Sequence, residues 1–282
     1  MNINEYNTSE IDLSFIANPP RTGSPCLDTQ AFGPEFHVSQ FWFEGCRNTA
    51  VEPVPAFNGH HIICLHGGGF VFELTETNRQ MAEKLAARGF RVSVADYPLA
   101  PEHSADYISS WTLRLYDKLL ADYPNDIFHF LGDSAGGGLA LSVLQLLRDS
   151  GVTRRPMRNV LSSPMLDVGM TDPCLSTASE REVIQLKYAG TLYAGNVDLT
   201  APLASPLFGD MTDLGVLLIT WDEDEVFAND CKKMVAMSGQ YPAFRVKSIT
   251  VKGLYHDFAM AADTAEANHA FEQFCTFFLC DN

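Results

Sequence analysis

The sequence lacks any long apolar run, and its first residues, MNINEYNTSEIDLSF, contain no basic segment followed by an apolar one. Neither a membrane span nor a secretory leader is therefore expected, and we predict a soluble, cytoplasmic protein. Basic residues are scarce, because 19 lysines and arginines stand against 35 aspartates and glutamates, a net charge of −16. This charge argues against nucleic acid and anionic membranes as partners and leaves a neutral or cationic small ligand as the expected kind.

The seven cysteines are scattered, odd in number and without a CxxC pair. A disulfide framework and a zinc site are therefore not expected, and we predict neither a metal nor an organic cofactor. The chain of 282 residues is 46% hydrophobic and carries no internal repeat. It can therefore bury one large core, which predicts a single domain over residues 1–282.

From about residue 60 onward, strand-like and helix-like stretches alternate. The β-branched run HHIICLHG (60–67) precedes a helix-like stretch ending at Gly89, and FRVSVADY (90–97) resembles the next strand. A last helix begins at about residue 264. This rhythm predicts an α/β fold with a mainly parallel central sheet flanked by helices. In such a sheet, the chemistry is expected at the carboxyl ends of the strands.

Two regions interrupt this alternation. Residues 1–35 are rich in Pro, Asn and Ser, and residues 165–212 insert the helical stretch SEREVIQLKYAGTLYAG between proline-containing connections. Long insertions at the carboxyl ends of strands usually cover a site, so we predict that both regions belong to a small helical cap. A peripheral helix packed elsewhere on the surface is the alternative.

The stretch FHFLGDSAGGGLALSVLQLL (128–147) starts as an apolar strand, turns through small residues and continues as an apolar helix. Gly132, Ala135 and Gly136 would let the turn close with Ser134 strained and its hydroxyl exposed. The first amides of the following helix lack intrahelical acceptors and suit a developing oxyanion. The spacing G-x-S-x-G in this setting predicts a nucleophile, and a serine N-cap in a glycine-rich turn is the alternative.

A serine nucleophile needs a base and a carboxylate behind that base. His256 is the best base candidate, because VKGLYHDFAM follows the last predicted strand and returns to the same rim of the sheet. The acid should follow the strand LGVLLITW, where four carboxylates run in sequence, and periodicity does not choose among them: Asp222, Glu223, Asp224 and Glu225. Asp167, after the preceding strand, is a less favoured substitute.

The stretch LHGGGFVF (65–72) offers backbone amides directly after the first core strand. Its three consecutive glycines let the backbone approach a substrate closely. The amides of Gly68 and Gly69, with that of Ala135, could hold a carbonyl oxygen as it becomes an oxyanion. A flexible loop or a phosphate cradle is the alternative, although neither a dinucleotide fingerprint nor a P-loop lysine is present.

Six motifs follow one another along the chain: HGGGF (66–70), DYPLAPEH (96–103), GDSAGG (132–137), SSPMLD (162–167), DEVFAND (224–230) and YHDF (255–258). Together they resemble the hormone-sensitive-lipase family of α/β-hydrolase carboxylesterases, and the resemblance spans roughly residues 60–260. It implies the α/β-hydrolase fold, with Ser134 as nucleophile and His256 as base. Glu225 matches the acid of that family best, with Asp224 as the nearest rival.

The resemblance also implies that Gly68, Gly69 and Ala135 build the oxyanion hole. One departure is Pro98, which stands where the family commonly has arginine, so any ion pair of that arginine is absent. The short N-terminal region suggests a smaller cap than in many relatives. Pocket size and acyl preference are therefore left open.

These observations predict a serine carboxylesterase that hydrolyses small, short-chain acyl esters through an acyl-enzyme intermediate. An amidase or lactonase acting on a specific metabolite, and a non-catalytic ligand receptor on the same fold, are the alternatives. The expected partner is a small-molecule ester, and a homodimer is left open. Apolar residues of the glycine stretch and of the cap region are the candidates for lining the substrate pocket: Phe70, Phe72, Leu186, Tyr188, Leu192 and Tyr193.

Overall fold

The β-branched and aromatic runs of the sequence form one eight-stranded sheet in the computed structural model, which describes residues 11–261 and 263–280. The strand order is β1-β2-β4-β3-β5-β6-β7-β8, and the strands from β3 to β8 are parallel. The first two pair antiparallel at one edge. The strands are β1 (Val38–Phe43), β2 (Cys46–Val51), β3 (His60–Leu65), β4 (Arg91–Ala95), β5 (Ile127–Asp133), β6 (Arg158–Ser162), β7 (Gly215–Asp222) and β8 (Phe244–Val251).

Helices follow most of the parallel strands, as the connections of a parallel sheet require. They are α1 (Ser14–Ala17), α2 (Glu76–Ala86), α3 (Ala105–Asp122), α4 (Ala135–Asp149), α5 (Glu180–Ala194), α6 (Ala228–Ala236), α7 (Phe258–Ala261) and α8 (Ala265–Leu279). Short 3-10 helices cover Pro25–Leu27, Thr29–Ala31 and Pro206–Phe208. In residues 11–261 and 263–280, no helix combines the length and apolar composition that a bilayer crossing requires.

Side chains of the central strands alternate between two apolar clusters, one on each face of the sheet. In β3, Ile63 and Leu65 join the cluster that includes α3, α4 and α5, whereas Ile62 and Cys64 join the cluster that includes α2 and α8. The central strands are therefore buried on both faces, which explains their continuous apolar runs. This packing holds the strands in place, and the loops at their carboxyl ends carry the candidate site.

Most predicted elements are present close to the expected bounds. The helix predicted to end at Gly89 is α2, and Gly89 has a φ of +85° while the N–H of Phe90 donates to the carbonyl of Leu85, as in a glycine-capped helix end. Strand β6 ends at Ser162, because the chain leaves the sheet at Ser163, where φ is +43°. The hairpin of β1 and β2 was not predicted.

The two regions predicted as a cap are placed differently. Helix α5, within 165–212, lies against α1 of the N-terminal region. The rest of the described N-terminal region runs along the domain itself, where Leu27 is buried in the cluster beneath α2. The first ten residues of the predicted 1–35 region lie outside the described residues. The division into a domain and a cap stays a prediction.

Candidate active site

Ser134 lies at the sharp turn between β5 and α4, with a φ of +50° and a ψ of −117°. A Cβ on Gly136 would overlap the carbonyl of Leu65 in β3, and one on Gly132 would overlap the backbone of Gly136. Only glycine therefore fits at these two positions, which is the steric reason for the small residues around the serine. The turn is held to β6 because the N–H of Ser134 donates to the Ser162 carbonyl at 2.8 Å.

His256 lies in the loop between β8 and α7, and its ring bridges the serine and a carboxylate. Nε2 is 3.0 Å from Ser134 Oγ, and Nδ1 is 2.9 Å from Glu225 Oε2. The Glu225 side chain is 3% exposed and the imidazole 37%. Burial acts to lower the pKa of His256, but the carboxylates of Asp257 and Glu225 outweigh it and raise this pKa to about 9. The three residues therefore have the contacts that a Ser-His-acid triad requires.

Of the four carboxylates that follow β7, Glu225 is the one that contacts the ring of His256. Asp222 accepts hydrogen bonds from two backbone N–H groups of the loop that carries His256, and so ties the two loops together. Glu223 and Asp224 pair with surface lysines. The geometry therefore favours Glu225 over Asp224.

Asp167, the substitute acid, has a different environment. Its carboxylate is buried and accepts hydrogen bonds from the backbone N–H groups of Gly169 and Thr171, each at 2.9 Å. These bonds close the turn that follows β6 and leads toward α5. Asp167 is therefore an organiser of this loop in the structure.

Two consecutive glycines of the loop after β3 have left-handed backbones, with φ of +95° at Gly68 and +61° at Gly69. Among the described residues, no acceptor is hydrogen-bonded to either of their N–H groups. Ala135 is the first residue of α4, where an N–H has no intrahelical acceptor. All three predicted donors belong to backbone near Ser134, and Gly68 and Gly69 line the same cavity as its side chain.

Asp133 fastens this glycine loop to the serine turn. Its Oδ2 accepts from the Gly67 N–H at 2.9 Å, and its Oδ1 accepts from Asn78 Nδ2 at 3.0 Å. Burial raises the pKa of Asp133 to about 6, although these hydrogen bonds act in the opposite direction. A Cβ at position 67 would lie 2.6 Å from Asp133 Oδ2, so the contact also requires glycine there.

A cavity of about 460 Å³ opens over Ser134 and His256. Phe15 and Ile16 of α1 and Leu186 and Ala189 of α5 line it, together with Phe72. Helix α5 also contributes two polar lining residues, Glu182 and Gln185. This volume is within the usual range for small-molecule pockets.

Of the residues predicted to bind substrate, Phe72 and Leu186 line this cavity. Phe70 does not, because its ring is buried in the core and stacks on Tyr193 with centroids 3.6 Å apart. Tyr188 packs against the apolar core cluster instead of the cavity. These departures have a common cause, since apolar character in sequence does not say which side of a loop or helix faces the core.

Sequence reasoning missed Asp257, whose side chain lines the cavity beside His256. Its position within the quoted YHDF motif was the available signal. It also missed Arg21, which forms an ion pair with Glu102 of the DYPLAPEH motif. An N-terminal arginine therefore pairs with this motif, although Pro98 stands where the family commonly has arginine.

A second cavity, of about 620 Å³, lies at the amino ends of the strands and is bordered by Ile127 and Gly215. None of its described lining residues is a serine, cysteine or histidine, so it offers no comparable nucleophile. Within the described part of the chain, no group of three or more His, Cys, Asp or Glu side chains is arranged to hold a metal ion.

Known proteins resemble this chain in sequence and in fold. The acetyl-hydrolase of Streptomyces hygroscopicus is 32% identical over 183 residues, which are 63% of this chain and 61% of that protein. An esterase of Acinetobacter venetianus is 30% identical over 71% of this chain and 67% of its own length. The chain therefore spans about three fifths to two thirds of these relatives.

The crystal structure of an esterase from the bacterial hormone-sensitive lipase family superposes with a TM-score of 0.79 at 26% identity, covering 94% of both chains. That of EstE5-PMSF superposes with a TM-score of 0.80 at 25% identity, covering 99% of this chain and 96% of that one. The family described as alpha/beta hydrolase fold matches residues 62–260. The motifs, the sheet and these matches agree, and the chain belongs to the α/β-hydrolase fold family, in its hormone-sensitive-lipase branch.

Proposed function

We propose that this protein is a serine carboxylesterase that hydrolyses small, short-chain acyl esters through an acyl-enzyme intermediate. The observation that carries the proposal is the continuous contact from Ser134 Oγ to His256 Nε2 at 3.0 Å and from Nδ1 to Glu225 at 2.9 Å. A receptor that only binds its ligand has no need of this chain of contacts. The names of the relatives, acetyl-hydrolase and esterase, agree with the proposal.

In the first half of the reaction, Ser134 Oγ attacks the ester carbonyl while His256 Nε2 takes its proton. Glu225 accepts the Nδ1–H hydrogen bond, which keeps the other nitrogen free to act as base and stabilises the imidazolium that forms. Nε2 then protonates the leaving alcohol. In the second half, water attacks the acyl-enzyme with the same histidine as base, which releases the acid and restores Ser134.

The tetrahedral intermediate carries a negative oxygen that needs donors. We assign the N–H groups of Gly68, Gly69 and Ala135 to this role, because the first two have no partner within the described residues and the third opens a helix. The positive end of the α4 dipole adds to the attraction. Each such donor contributes about 2.7 to 4 kcal/mol to transition-state stabilisation.

The cavity supports a small substrate. At about 460 Å³ it accommodates a short acyl chain and a small alcohol, and α5 lies above the glycine loop, with Ala189 Cβ 3.5 Å from an ideal Cβ position on Gly69. We propose Phe72 and Leu186 as apolar contacts for the substrate. The cytoplasmic location and a homodimer stay predictions from the sequence.

The test uses p-nitrophenyl esters from acetyl to octanoyl. We expect turnover that falls with the longer chains, and a decrease in kcat on the order of 10⁴-fold or more for Ser134→Ala and for His256→Ala. Ser150→Ala at the far end of α4 and His269→Ala on the exposed side of α8 are matched controls that keep wild-type rates. A fluorophosphonate probe should label wild-type protein at Ser134.

Substantial turnover in either variant would contradict the assignment. A wild-type protein that hydrolyses none of these esters and resists the probe, yet binds a small ligand, would favour the receptor alternative. Faster cleavage of the matched anilides than of the p-nitrophenyl esters would favour an amidase.

A further inference from the structure

A second carboxylate lies at the other side of the His256 ring. Asp257 has a φ of +59°, a left-handed conformation that aspartate tolerates better than most residues. Its Oδ2 is 3.3 Å from His256 Nε2, the nitrogen that contacts Ser134. The turn is fixed because the N–H of Asp257 donates to Ser163 Oγ at 3.0 Å. Glu225 and Asp257 therefore flank one imidazole, at Nδ1 and at Nε2.

The proposed hydrolysis gives Asp257 no task. Nε2 must come within hydrogen-bond distance of the leaving oxygen, about 3 Å, to protonate it. With Oδ2 3.3 Å from the same nitrogen, the leaving oxygen lies at most about 6 Å from the carboxylate. An ester oxygen carries no hydrogen and therefore donates no hydrogen bond to this carboxylate. The Asp257 side chain lines the cavity and is 15% exposed, so a substrate group with a donor hydrogen or a positive charge can contact it.

The cavity as a whole is acidic. Glu73, Asp133, Glu182 and Asp257 line it, and none of its described lining residues is a lysine or arginine. Burial acts to raise the pKa of Glu73, but hydrogen bonds from Thr22 and its neighbours outweigh it and lower that pKa, so Glu73 is ionised at neutral pH. The net charge of −16 has the same sign. Such a field repels anionic substrates and attracts cationic ones.

We infer that Asp257 is a specificity-determining residue, and that the cavity prefers esters whose alcohol part carries a positively charged nitrogen a few bonds from the ester oxygen. This inference rests on the proposed esterase function. An ammonium group near the leaving oxygen would lie within reach of the Asp257 carboxylate. The rings of Phe15 and Phe72, which stack with centroids 5.9 Å apart and line the same cavity, add aromatic surface for a quaternary ammonium.

A cation in the cavity would also favour the unprotonated form of His256 Nε2. Burial and the charges of Asp133 and Glu225 raise the pKa of Asp257 well above its usual value, and the pKa of His256 is raised as well. These raised pKa values favour a proton on the pair, and a proton on Nε2 would prevent that nitrogen from accepting one from Ser134. A positive charge beside them favours the ionised carboxylate and the neutral ring, which restores Nε2 as acceptor.

The test compares two acetates of nearly equal shape in a pH-stat. One is 2-(trimethylammonio)ethyl acetate, whose charge is the same at every pH, and the other is its carbon isostere, 3,3-dimethylbutyl acetate. Coulomb attraction at about 6 Å in a partly hydrated site favours the cation by on the order of tenfold or more in kcat/KM. Asp257→Asn should lower the ratio of the two substrates toward one, and the part that remains is due to the other carboxylates of the cavity.

Two further variants separate this effect from folding and from net charge. Asp257→Gly, which suits a φ of +59°, should lose the preference in the same way if Asp257→Asn folds poorly. Glu223→Gln removes a carboxylate that pairs with Lys232 outside the cavity and should keep the wild-type ratio. The ratio is the decisive readout, because a purely structural defect lowers both rates together.

An equal or larger kcat/KM for the neutral isostere in the wild-type enzyme would overturn the inference, and so would a cation preference that is undiminished in both Asp257 variants. Either result, obtained with an enzyme that hydrolyses p-nitrophenyl butyrate, leaves the proposed esterase function intact. Hydrolysis of none of the three esters would overturn the proposed function, and this inference with it.

Discussion

The contact between Asp133 and the glycine loop predicts how a single amide substitution disturbs the candidate oxyanion hole. Asp133→Asn replaces one acceptor oxygen with a donor NH₂. That group must face either the Gly67 N–H or the Asn78 amide nitrogen, both of which are donors. Rotating the Asn78 amide does not help, because its Oδ1 accepts from the Thr75 N–H at the start of α2. Every arrangement leaves two donors opposed.

The magnitude follows from burial. Asp133 is 9% exposed and Asn78 is 7% exposed, so water does not readily relieve the clash, and leaving a buried donor without an acceptor costs about 1 to 3 kcal/mol. The loop carrying Gly68 and Gly69 can escape the clash by moving away from Ser134. Displacement of a catalytic group by about 1 Å reduces rates by about 10²-fold. We therefore expect both lower stability and a decrease in kcat of that order.

The rescue is a double variant. Asp133→Asn combined with Asn78→Asp restores complementarity, because the new amide at position 133 can accept from Gly67 and donate to the new carboxylate at position 78. That carboxylate still accepts from Thr75, as the Asn78 oxygen does. The assays are urea unfolding and kcat on p-nitrophenyl butyrate at the alkaline plateau, where a changed pKa of His256 does not enter. A double variant worse than both single variants would refute the reasoning, as would wild-type kcat and stability in Asp133→Asn.

Three further predictions concern the triad acid, the turn around Ser134 and a buried histidine. Glu225→Gln should lower kcat on the order of 10⁴-fold, as loss of the triad acid does in serine proteases, whereas Asp224→Asn should change it little; the reverse order would move the acid to Asp224. Gly136→Ala places a Cβ against the carbonyl of Leu65 and should lower the free energy of unfolding by about 3 kcal/mol. Gly151→Ala, where φ is +69° and no atom lies within 4 Å of the new Cβ, should lower it by about 1 kcal/mol. Equal urea midpoints for the two variants would contradict this prediction. Burial lowers the pKa of His66 to about 4 in the folded protein, whereas the unfolded ring binds its proton near pH 6.5. The unfolded state therefore gains protons first as the pH falls, and between pH 7 and 5 the free energy of unfolding of the wild type should fall by about 2 kcal/mol more than that of His66→Gln. Equal pH dependences of the two proteins would contradict this prediction.

The sequence predicts best the elements in which space or backbone geometry permits few residue types. Gly132 and Gly136 stand where a Cβ would strike backbone, so the turn around Ser134 could be inferred from five letters and their apolar surroundings. His256 follows the last strand, and the parallel order of the sheet brings that loop to the rim that carries Ser134. Both the steric requirement at the turn and the order of the strands can therefore be inferred from a single sequence.

Other features depend on tertiary contacts that sequence does not encode locally. Periodicity did not show which of four neighbouring carboxylates is the acid, and the family resemblance favoured Glu225. Its contact with His256 depends on how the loops after β7 and β8 meet. Phe70 was assigned to the substrate pocket, yet its φ of +65° turns the chain so that the ring enters the core. The hairpin of β1 and β2 turns at Glu44 and Gly45, a weaker signal than Asn-Gly or Asp-Gly.

The distribution of backbone strain is consistent with these assignments. Four non-glycine residues with left-handed φ cluster at the carboxyl ends of the strands: Phe70, Ser134, Ser163 and Asp257. Such conformations cost about 1 to 3 kcal/mol each and persist where surrounding contacts hold them. Ser163 links one of the others, Asp257, to the sheet, because its N–H donates to the Thr220 carbonyl of β7 while its hydroxyl accepts from the N–H of Asp257. The strained turn that brings Asp257 to Nε2 is thus anchored to the sheet. Since these anchoring hydrogen bonds use backbone N–H groups and the Ser163 hydroxyl, removal of the Asp257 carboxylate should change the substrate charge preference without disturbing the contacts among Ser134, His256 and Glu225.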